Sequence, residues 1–316
     1  MEAIPTSTVI GLAGKRSGRW RKLLQNYQLY IFVLPALIYF VVFCYVPMYG
    51  VIIAFKDFHA GLGIWNSPWA GLEHFERFFD SFYFGQVIRN TVTISLLSLA
   101  VGFPIPIILA LMLNEVRSTK FKRLVQTITY APHFISVVVL VGMLMAFLST
   151  GSGIINNLLK FLGFQTIDFL QSAQWFKPIY VLSGVWQNAG WSAIIFLAAL
   201  AGIDPQQYEA ATMDGATRFH KIVHINIPGI APTIIIMLIM NVGQVMNVGF
   251  EKVFLMQNPL NADASEVIST YVYKSGLLNA QYSFSAAVGL FNSVINFILL
   301  IIVNYTSKKI NETSLW

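Results

Sequence analysis

Residues 204–228 read DPQQYEAATMDGATRFHKIVHINIP and lie between two long apolar runs of the chain. Asp204 is a favourable N-cap for a helix, Pro205 suits the first helical position, and Gln207 occupies the third, as in a capping box. The segment therefore predicts a polar helix that begins outside the apolar runs.

The same segment predicts where this helix ends and a second one begins. Asp214 and Gly215 can terminate the first helix, because glycine accepts the left-handed conformation of a helix end. A second short helix is predicted from about 216 to 224, ahead of Pro228. The composition of the whole chain indicates where these two small helices lie.

That composition indicates a membrane protein. Of the 316 residues, 56% are hydrophobic and only 11% are charged, whereas a soluble domain carries about 25% charged residues. The single cysteine, Cys44, lies inside an apolar run, so no disulfide framework is possible. The net charge of +6 does not by itself indicate nucleic-acid binding, because in a membrane chain the distribution of positive residues matters more than their sum.

Six apolar runs are long enough to cross a bilayer, since a helix needs about 20 residues to span about 30 Å of hydrocarbon. They predict an all-α membrane protein with six transmembrane helices, at about 29–53, 87–113, 128–150, 178–201, 229–250 and 284–304. The first run is too long for the h-region of a signal peptide and is read as an uncleaved helix. Residues 1–28 are then a basic cytoplasmic or interfacial segment, and 29–316 form the transmembrane domain.

The distribution of Lys and Arg predicts that both termini are cytoplasmic. Counted over alternate segments, thirteen of these residues fall on one side of the membrane and six, in longer loops, on the other. Loops rich in Lys and Arg face the cytoplasm. The loop 202–228, between the fourth and fifth runs, is therefore predicted to be cytoplasmic.

The sequence lacks the residues that would let this chain supply its own energy. The stretch GLAGKRSG at 11–18 contains Gly-Lys, but Val9 breaks the P-loop spacing and no other stretch fits it. No apolar run carries Asp or Glu in its middle, although ion-coupled transporters usually keep such residues. His133, near the start of the third run, is read as a hydrogen-bonding partner of a neighbouring helix. No catalytic residue, metal ligand or cofactor is predicted.

Uncharged polar and aromatic side chains in the last three runs form a candidate substrate pathway. The fourth run contains VWQNAGW at 185–191, the fifth contains MNVGQVMN at 240–247 with 241, 244 and 248 on one predicted helix face, and the sixth contains Asn292 and Asn296. Amides also join transmembrane helices, so each residue alone fits that role equally well. Taken together, they suit a polyhydroxylated solute. The predicted pathway residues are Trp186, Asn188, Trp191, Gln244 and Asn247.

The 202–228 loop also matches a family motif at every fixed point. The pattern E-A-A-x3-G-x9-I-x-[LI]-P is met by Glu209, Ala210, Ala211, Gly215, Ile225, Ile227 and Pro228. It resembles the EAA loop of the permease subunits of ABC importers. That resemblance implies that the loop docks into a groove on an ATP-hydrolysing partner. The residues it implies for this coupling are Glu209, Ala210, Ala211, Gly215 and Arg218.

Other stretches resemble the polysaccharide-type carbohydrate permeases, including the first permease subunits of bacterial alginate importers. They are VPMYGVIIAFKDF at 46–58, NVGFEKVFLMQNP at 247–259, VISTYVYKSGL at 267–277 and NETSLW at the C-terminus. The resemblance implies a type I importer permease fold in the bacterial cytoplasmic membrane. It also implies a second homologous permease, two ATP-binding cassette subunits that bind ATP and Mg, and an extracytoplasmic solute-binding protein. That protein would meet loops 54–86 and 251–283, and this chain would not itself be an enzyme.

Three alternatives stay open. A permease of the same build could carry an amino acid or phosphate, but an anionic solute calls for basic residues in the pathway, and the runs offer little beyond Arg89. An acidic polysaccharide raises the same difficulty, so the partner subunit or the loops would have to supply positive charge. An ion-coupled secondary transporter or channel would work without ATP. A membrane scaffold that transports nothing would not need the EAA spacing.

Overall fold

The computed structural model describes residues 27–311, 314 and 315, and these are almost entirely helical. In these residues there is no β-strand, and an isolated antiparallel bridge joins Lys56 to Trp69. The predicted basic segment 1–28 lies outside the described residues except for its last two. The chain divides into two units, the first ending at Ile52 and the second beginning at Ile53.

The described residues form seventeen α-helices, several of them joined by short 3-10 or π-helical turns. They are α1 (Tyr27–Tyr39), α2 (Val46–Met48), α3 (Gly63–Asn66), α4 (Glu73–Phe79), α5 (Phe84–Gly102), α6 (Pro104–Glu115), α7 (Thr119–Tyr130), α8 (Val137–Leu148), α9 (Ile154–Phe161), α10 (Ala173–Ala201), α11 (Pro205–Met213), α12 (Arg218–Lys221), α13 (Ile227–Val242), α14 (Phe250–Met256), α15 (Ala262–Ser265), α16 (Ile268–Tyr273) and α17 (Tyr282–Asn311).

Five helical segments of the described residues are long and apolar enough to cross a membrane. They are Tyr27–Phe55, Phe84–Glu115, Ala173–Ala201, Arg218–Val242 and Tyr282–Lys309. A bent pair of helices makes a sixth span if it is counted as one. The predicted class, an all-α membrane protein, is therefore confirmed, and four of the six runs lie close to where the sequence places them.

The prediction of a continuous third span, 128–150, is wrong. The chain there forms α7 with a 3-10 turn and then α8, and the two helices are bent by 102° at the break. Pro132 lacks the N–H of a regular helix, and the Ser136 hydroxyl caps a new one. Gln187 Nε2 of α10 donates to the Ile135 carbonyl oxygen at 2.8 Å. The break is thus satisfied by a neighbouring helix, as a membrane interior requires.

The prediction for the fifth span, 229–250, ends too late. α13 stops at Val242, and the chain turns from Gly243 onward. Glycine has a low helix propensity, which favours the end of a helix at this point. Gln244 and Asn247 consequently lie on a turn, so the prediction that positions 241, 244 and 248 share a helix face is wrong.

Three clusters of buried apolar side chains hold the second unit together. One cluster joins α4, α5, α16 and α17, and another joins α5, α8, α10 and α14. The third joins α6, α10 and α13 around Phe196 and Ile230. Ile203 and Ile222, near the two ends of the 202–228 loop, pack against this third cluster. The loop is thereby anchored to the helices that it connects.

Candidate functional site

The first helix of the 202–228 loop forms as predicted. α11 begins after Asp204, whose carboxylate accepts a hydrogen bond of 2.9 Å from the Gln206 amide. This bond falls one residue earlier than a capping box requires. The helix ends at Met213, and Gly215 has a φ of +74°, which confirms the predicted left-handed stop.

The predicted second helix of the loop, 216–224, has other bounds and is not a separate element. α12 begins at Arg218, after Thr217, whose hydroxyl accepts a hydrogen bond of 3.3 Å from the His220 amide. It continues through a π-helical segment, Ile222–Asn226, directly into α13. The second helix of the loop is therefore the beginning of the fifth span, and it must move with that span.

The predicted coupling residues lie on the outside of the loop. Exposed or half-buried positions are occupied by Glu209, Ala210, Ala211, Gly215 and Arg218. Met213 and Phe219, which the sequence did not single out, are 88% and 71% exposed. Two large apolar side chains beside small residues and charges form a surface that is suited to contact with another protein.

Two hydrogen bonds join α11 to the beginning of the fifth span. The Tyr208 hydroxyl donates to Oδ1 of the buried Asn226 at 2.7 Å, and Lys221 Nζ donates to Thr212 Oγ1 at 2.7 Å. Asn114, near the end of α6, lies beside the same tyrosine hydroxyl. Burial raises the pKa of Tyr208, so its hydroxyl stays a neutral donor at pH 7. Three segments of the bundle therefore meet at Tyr208.

A polar cavity of about 270 Å³ lies between α5, α6, α10 and the end of α13. Its polar lining comprises Ser95, Ser98, Tyr180, Ser192, Asn241, Gln244 and Asn247. Gln244 and Asn247 were predicted for the pathway, and the turn after α13 brings them to this cavity. The serines of α5 were missed, although their spacing of three residues in an apolar run was a signal for a polar stripe.

The three pathway residues predicted on the fourth span do not line one common cavity. Asn188 lines a second cavity of about 240 Å³, which shares Ser98 and Tyr180 with the first. Trp186 instead lines a pocket whose other side chains are almost all apolar. Trp191 stacks on His133, with the ring centres 4.6 Å apart. The structure therefore brings Asn188, Gln244 and Asn247 toward one polar region and leaves the two tryptophans outside it.

His133 connects the broken third span to the fourth. Its Nδ1 and the Asn188 Oδ1 share a hydrogen bond of 3.0 Å, and its ring is almost parallel to that of Trp191. The prediction that this histidine bonds a neighbouring helix is confirmed.

Asparagines of the sixth span hold the turn that follows α13. Asn296 Oδ1 accepts a hydrogen bond from the Met246 amide at 3.0 Å. Asn296 Nδ2 and Asn292 Nδ2 donate to Asn247 Oδ1 at 3.0 and 2.9 Å. Asn247 thus lines the cavity and also bonds to the sixth span. It therefore fits both predicted roles, that of a pathway residue and that of an amide that joins helices.

We expect Asn296→Leu to destabilise the protein by about 1–3 kcal/mol, because it leaves the Met246 amide without its acceptor and removes a donor from Asn247. Thermal unfolding of the purified chain in detergent measures this loss. Ser293→Leu is the control, since Ser293 is exposed on the same helix and, among the described residues, its hydroxyl donates to the Gly289 carbonyl oxygen of its own preceding turn. Equal stability of the two variants would contradict the role of Asn296.

A buried lysine that the sequence did not single out lies beside the second cavity. Lys252 of α14 is 8% exposed, and its Nζ donates to the Tyr180 carbonyl oxygen at 2.8 Å. Burial lowers its pKa to about 8, so it is still mostly protonated at pH 7. The signal for Lys252 in the sequence was its position within NVGFEKVFLMQNP, next to an apolar run.

In the described residues there is no group of three or more His, Cys, Asp or Glu that could hold a metal ion.

Comparison with known proteins gives matches over nearly the whole chain. The family described as "Binding-protein-dependent transport system inner membrane component" matches residues 102–312. Two relatives from Bacillus subtilis strain 168 are each 44% identical to this chain. They are the polygalacturonan/rhamnogalacturonan transport system permease protein YteP, aligned over 100% of this chain and 98% of its own length, and protein LplB, aligned over 100% of both. A chain of a bacterial alginate ABC transporter, solved with an alginate pentasaccharide-bound periplasmic protein, has a TM-score of 0.87 and 41% identity, covering 94% of this chain and 99% of that one.

Proposed function

This chain belongs to the family of binding-protein-dependent transport system inner membrane components, and on that premise we propose that it is a permease subunit of an ATP-driven ABC importer for an oligosaccharide or polysaccharide. Membership confirms the resemblance carried by the EAA motif. One relative is named for polygalacturonan and rhamnogalacturonan transport, and the solved relative belongs to an importer of the acidic polysaccharide alginate. These names favour a carbohydrate over an amino acid or phosphate.

A working importer needs subunits besides this one. The solved relative is in complex with a periplasmic protein that holds an alginate pentasaccharide. By analogy, this chain acts with an extracytoplasmic solute-binding protein, a second homologous permease and two ATP-binding cassette subunits. ATP and Mg²⁺ bind to the cassette subunits, and this chain catalyses no reaction. It lies in the cytoplasmic membrane of a bacterium with both termini in the cytoplasm, as the distribution of Lys and Arg indicates.

The observation that carries the proposal is the continuity of the 202–228 loop with the fifth span. The helix Arg218–Val242 has the loop at one end and cavity-lining residues at the other. Its 25 residues span about 37 Å at 1.5 Å per residue. When the ATPase subunits close, they move α11, and α12 carries that motion through the fifth span to Asn241 and Gln244. This connection accounts for a transporter whose sequence has no P-loop of its own.

The loops 54–86 and 251–283 supply the surface for the solute-binding protein. Arg77 Nη2 donates to Gln281 Oε1 at 3.0 Å, so the two loops form one continuous surface. Phe82 on this surface is 89% exposed, as an aromatic residue that anchors an interface would be in the isolated subunit.

Co-purification tests the proposed assembly. The tagged chain, extracted from membranes of its own host, should bring down an ATPase with a P-loop and a second, similar permease. An ion-coupled transporter would instead carry sugar after reconstitution of this chain alone, without ATP. Transport under those conditions would refute the proposal.

We expect Tyr208→Phe to weaken coupling, because the change leaves Oδ1 of Asn226, which is 0% exposed, without its donor. The loss of one buried hydrogen bond, about 1–3 kcal/mol, should lower sugar-stimulated ATP hydrolysis about tenfold. ATP hydrolysis by the reconstituted importer, with and without sugar-loaded binding protein, measures the effect. Tyr305→Phe, at a tyrosine that is 68% exposed on α17, should change nothing. If the two variants couple equally well, Tyr208 does not transmit the motion.

A further inference from the structure

We propose that Lys252 selects sugars that carry a carboxylate, so that the importer's substrate is a glycan containing uronic acid. This inference rests on the proposed transport function and names the class of solute. Lys252 comes from the loop after the fifth span, and its side chain turns inward against the fourth. It therefore supplies the positive charge that the apolar runs lack.

The Lys252 ammonium group packs against Tyr180 and Gly184 of the fourth span. Nζ of Lys252 bonds the Tyr180 carbonyl oxygen at 2.8 Å and lies 4.6 Å from the centre of the Tyr180 ring. One turn further along the helix is Gly184, where a Cβ atom would lie only 3.3 Å from Nζ. The glycine thus leaves room for the ammonium beside the helix.

The ammonium is buried without an opposite charge. Within the described part of the chain, the ion pairs are His59 with Asp57 and Lys274 with Glu266, and neither involves Lys252. A buried charge without a charged partner is unfavourable. The hydrogen bond to the Tyr180 carbonyl oxygen and the contact with the Tyr180 ring do not fully replace the water molecules that the ammonium loses on burial. An ammonium has three donors, and one of them is used by the Tyr180 carbonyl. Such a group, beside a cavity, is a candidate for binding an anion.

The cavity around Lys252 has the remaining chemistry of a sugar site. The same 240 Å³ space is lined by Ser98, Gln187 and Asn188, and it adjoins the larger cavity that contains Gln244 and Asn247. Hydroxyl and amide groups exchange hydrogen bonds with sugar hydroxyls, and the ammonium forms a charge-assisted bond with a carboxylate. Asn188 already bonds to His133 and to the Gly184 carbonyl oxygen, and Gln187 Nε2 bonds to the Ile135 carbonyl oxygen. The Lys252 ammonium and the Ser98 hydroxyl are therefore the groups that a hydroxyl-rich solute with one carboxylate per ring, a uronate, would engage first.

The experiment uses the complete importer in proteoliposomes, with the solute-binding protein outside and ATP inside. A panel of galacturonate, mannuronate and guluronate oligosaccharides is assayed for stimulation of ATP hydrolysis, together with the same oligosaccharides after reduction of their carboxyls to alcohols. The uronate that stimulates the wild type most strongly is then used for the variants. Lys252→Gln keeps a neutral NH2 donor group and removes the charge, and Lys252→Met removes both the donors and the charge. Lys160→Met removes the same charge from an exposed position on α9 and is the control.

We expect both Lys252 variants to raise the uronate concentration for half-maximal stimulation about tenfold or more, as loss of a charge-assisted bond implies. The preference for the uronate over its reduced form should shrink, and Lys160→Met should match the wild type. Three results would overturn the inference: no change in either Lys252 variant, an equal loss for the uronate and its reduced form, or a wild type that responds to neutral sugars alone. The last result would leave the importer proposal intact. A wild type that responds to no sugar would overturn both.

Discussion

Gly215→Asp is expected to abolish sugar import and sugar-stimulated ATP hydrolysis while leaving the chain folded and inserted in the membrane. Gly215 has a φ of +74°, and nothing in the described part of the chain lies within 4 Å of its Cβ position. Aspartate enters the left-handed region more readily than most residues, so the cost to folding is at most about 1–2 kcal/mol. The new carboxylate would project from the loop surface into the docked ATPase. Because coupling free energies are typically about 1–3 kcal/mol, a loss of up to about 150-fold is expected.

Gly163→Asp is the matched control for this prediction. Gly163 also has a positive φ, +84°, and open space at its Cβ position, but it lies after α9, outside the 202–228 loop. It should retain import and stimulated ATP hydrolysis in the same reconstituted assay. If the Gly215 variant couples like the wild type, the loop does not take part in the mechanism.

Gly190→Ala is expected to destabilise the protein by about 3 kcal/mol or more, although it adds a single methyl group. A Cβ atom at this position would lie 2.1 Å from the carbonyl oxygen of Thr129 and 2.4 Å from its carbonyl carbon. Both atoms belong to the backbone of α7, so no side-chain rotation relieves the overlap. Small residues allow transmembrane helices to approach this closely. The substitution must push the broken third span away from α10 and weaken the bond between Gln187 and the Ile135 carbonyl.

Gly289→Ala provides the comparison, because nothing lies within 4 Å of the Cβ position of Gly289 on α17. Alanine favours a helix over glycine by about 1 kcal/mol, so this variant should be neutral or more stable. Thermal unfolding of the purified chain in detergent should therefore show a lower midpoint temperature for Gly190→Ala, and an equal or higher one for Gly289→Ala, than for the wild type. A Gly190 variant as stable as the wild type would mean that α7 and α10 do not pack at this point.

Much of the fold follows from local properties of the sequence. The length and composition of the apolar runs predict the spans, and Asp204 and Gly215 predict α11 because caps act through neighbouring backbone groups. The third span was mispredicted because Pro132 and Ser136 lie inside a run whose average hydrophobicity hides them. The break also depends on Gln187, which is distant in sequence. The composition of an apolar run does not reveal a contact with a residue that is distant in sequence.

Less of the candidate site could be predicted. Gln244 and Asn247 reach the cavity on a turn that Asn296 stabilises, so their position depends on the sixth span. Trp186 and Trp191 looked equivalent to Asn188 in sequence, but Trp186 lines an apolar pocket and Trp191 stacks on His133. Lys252 was counted among loop residues, because its burial depends on folding back against Tyr180. Each of these outcomes is a tertiary contact, which periodicity and motif spacing do not encode.

Cross-linking at the tip of α11 tests the central claim, that the 202–228 loop receives its motion from an ATPase. Cys44 is the chain's single cysteine, so a Cys44→Ser chain that also carries Met213→Cys has one thiol, at a position 88% exposed in the isolated subunit. In membranes of the native host, a short thiol–amine cross-linker should join this thiol to the ATPase subunit, with a yield that changes when ATP is added. A thiol that yields no product with the ATPase, and is instead labelled from the extracytoplasmic side by a membrane-impermeant reagent, would contradict the account.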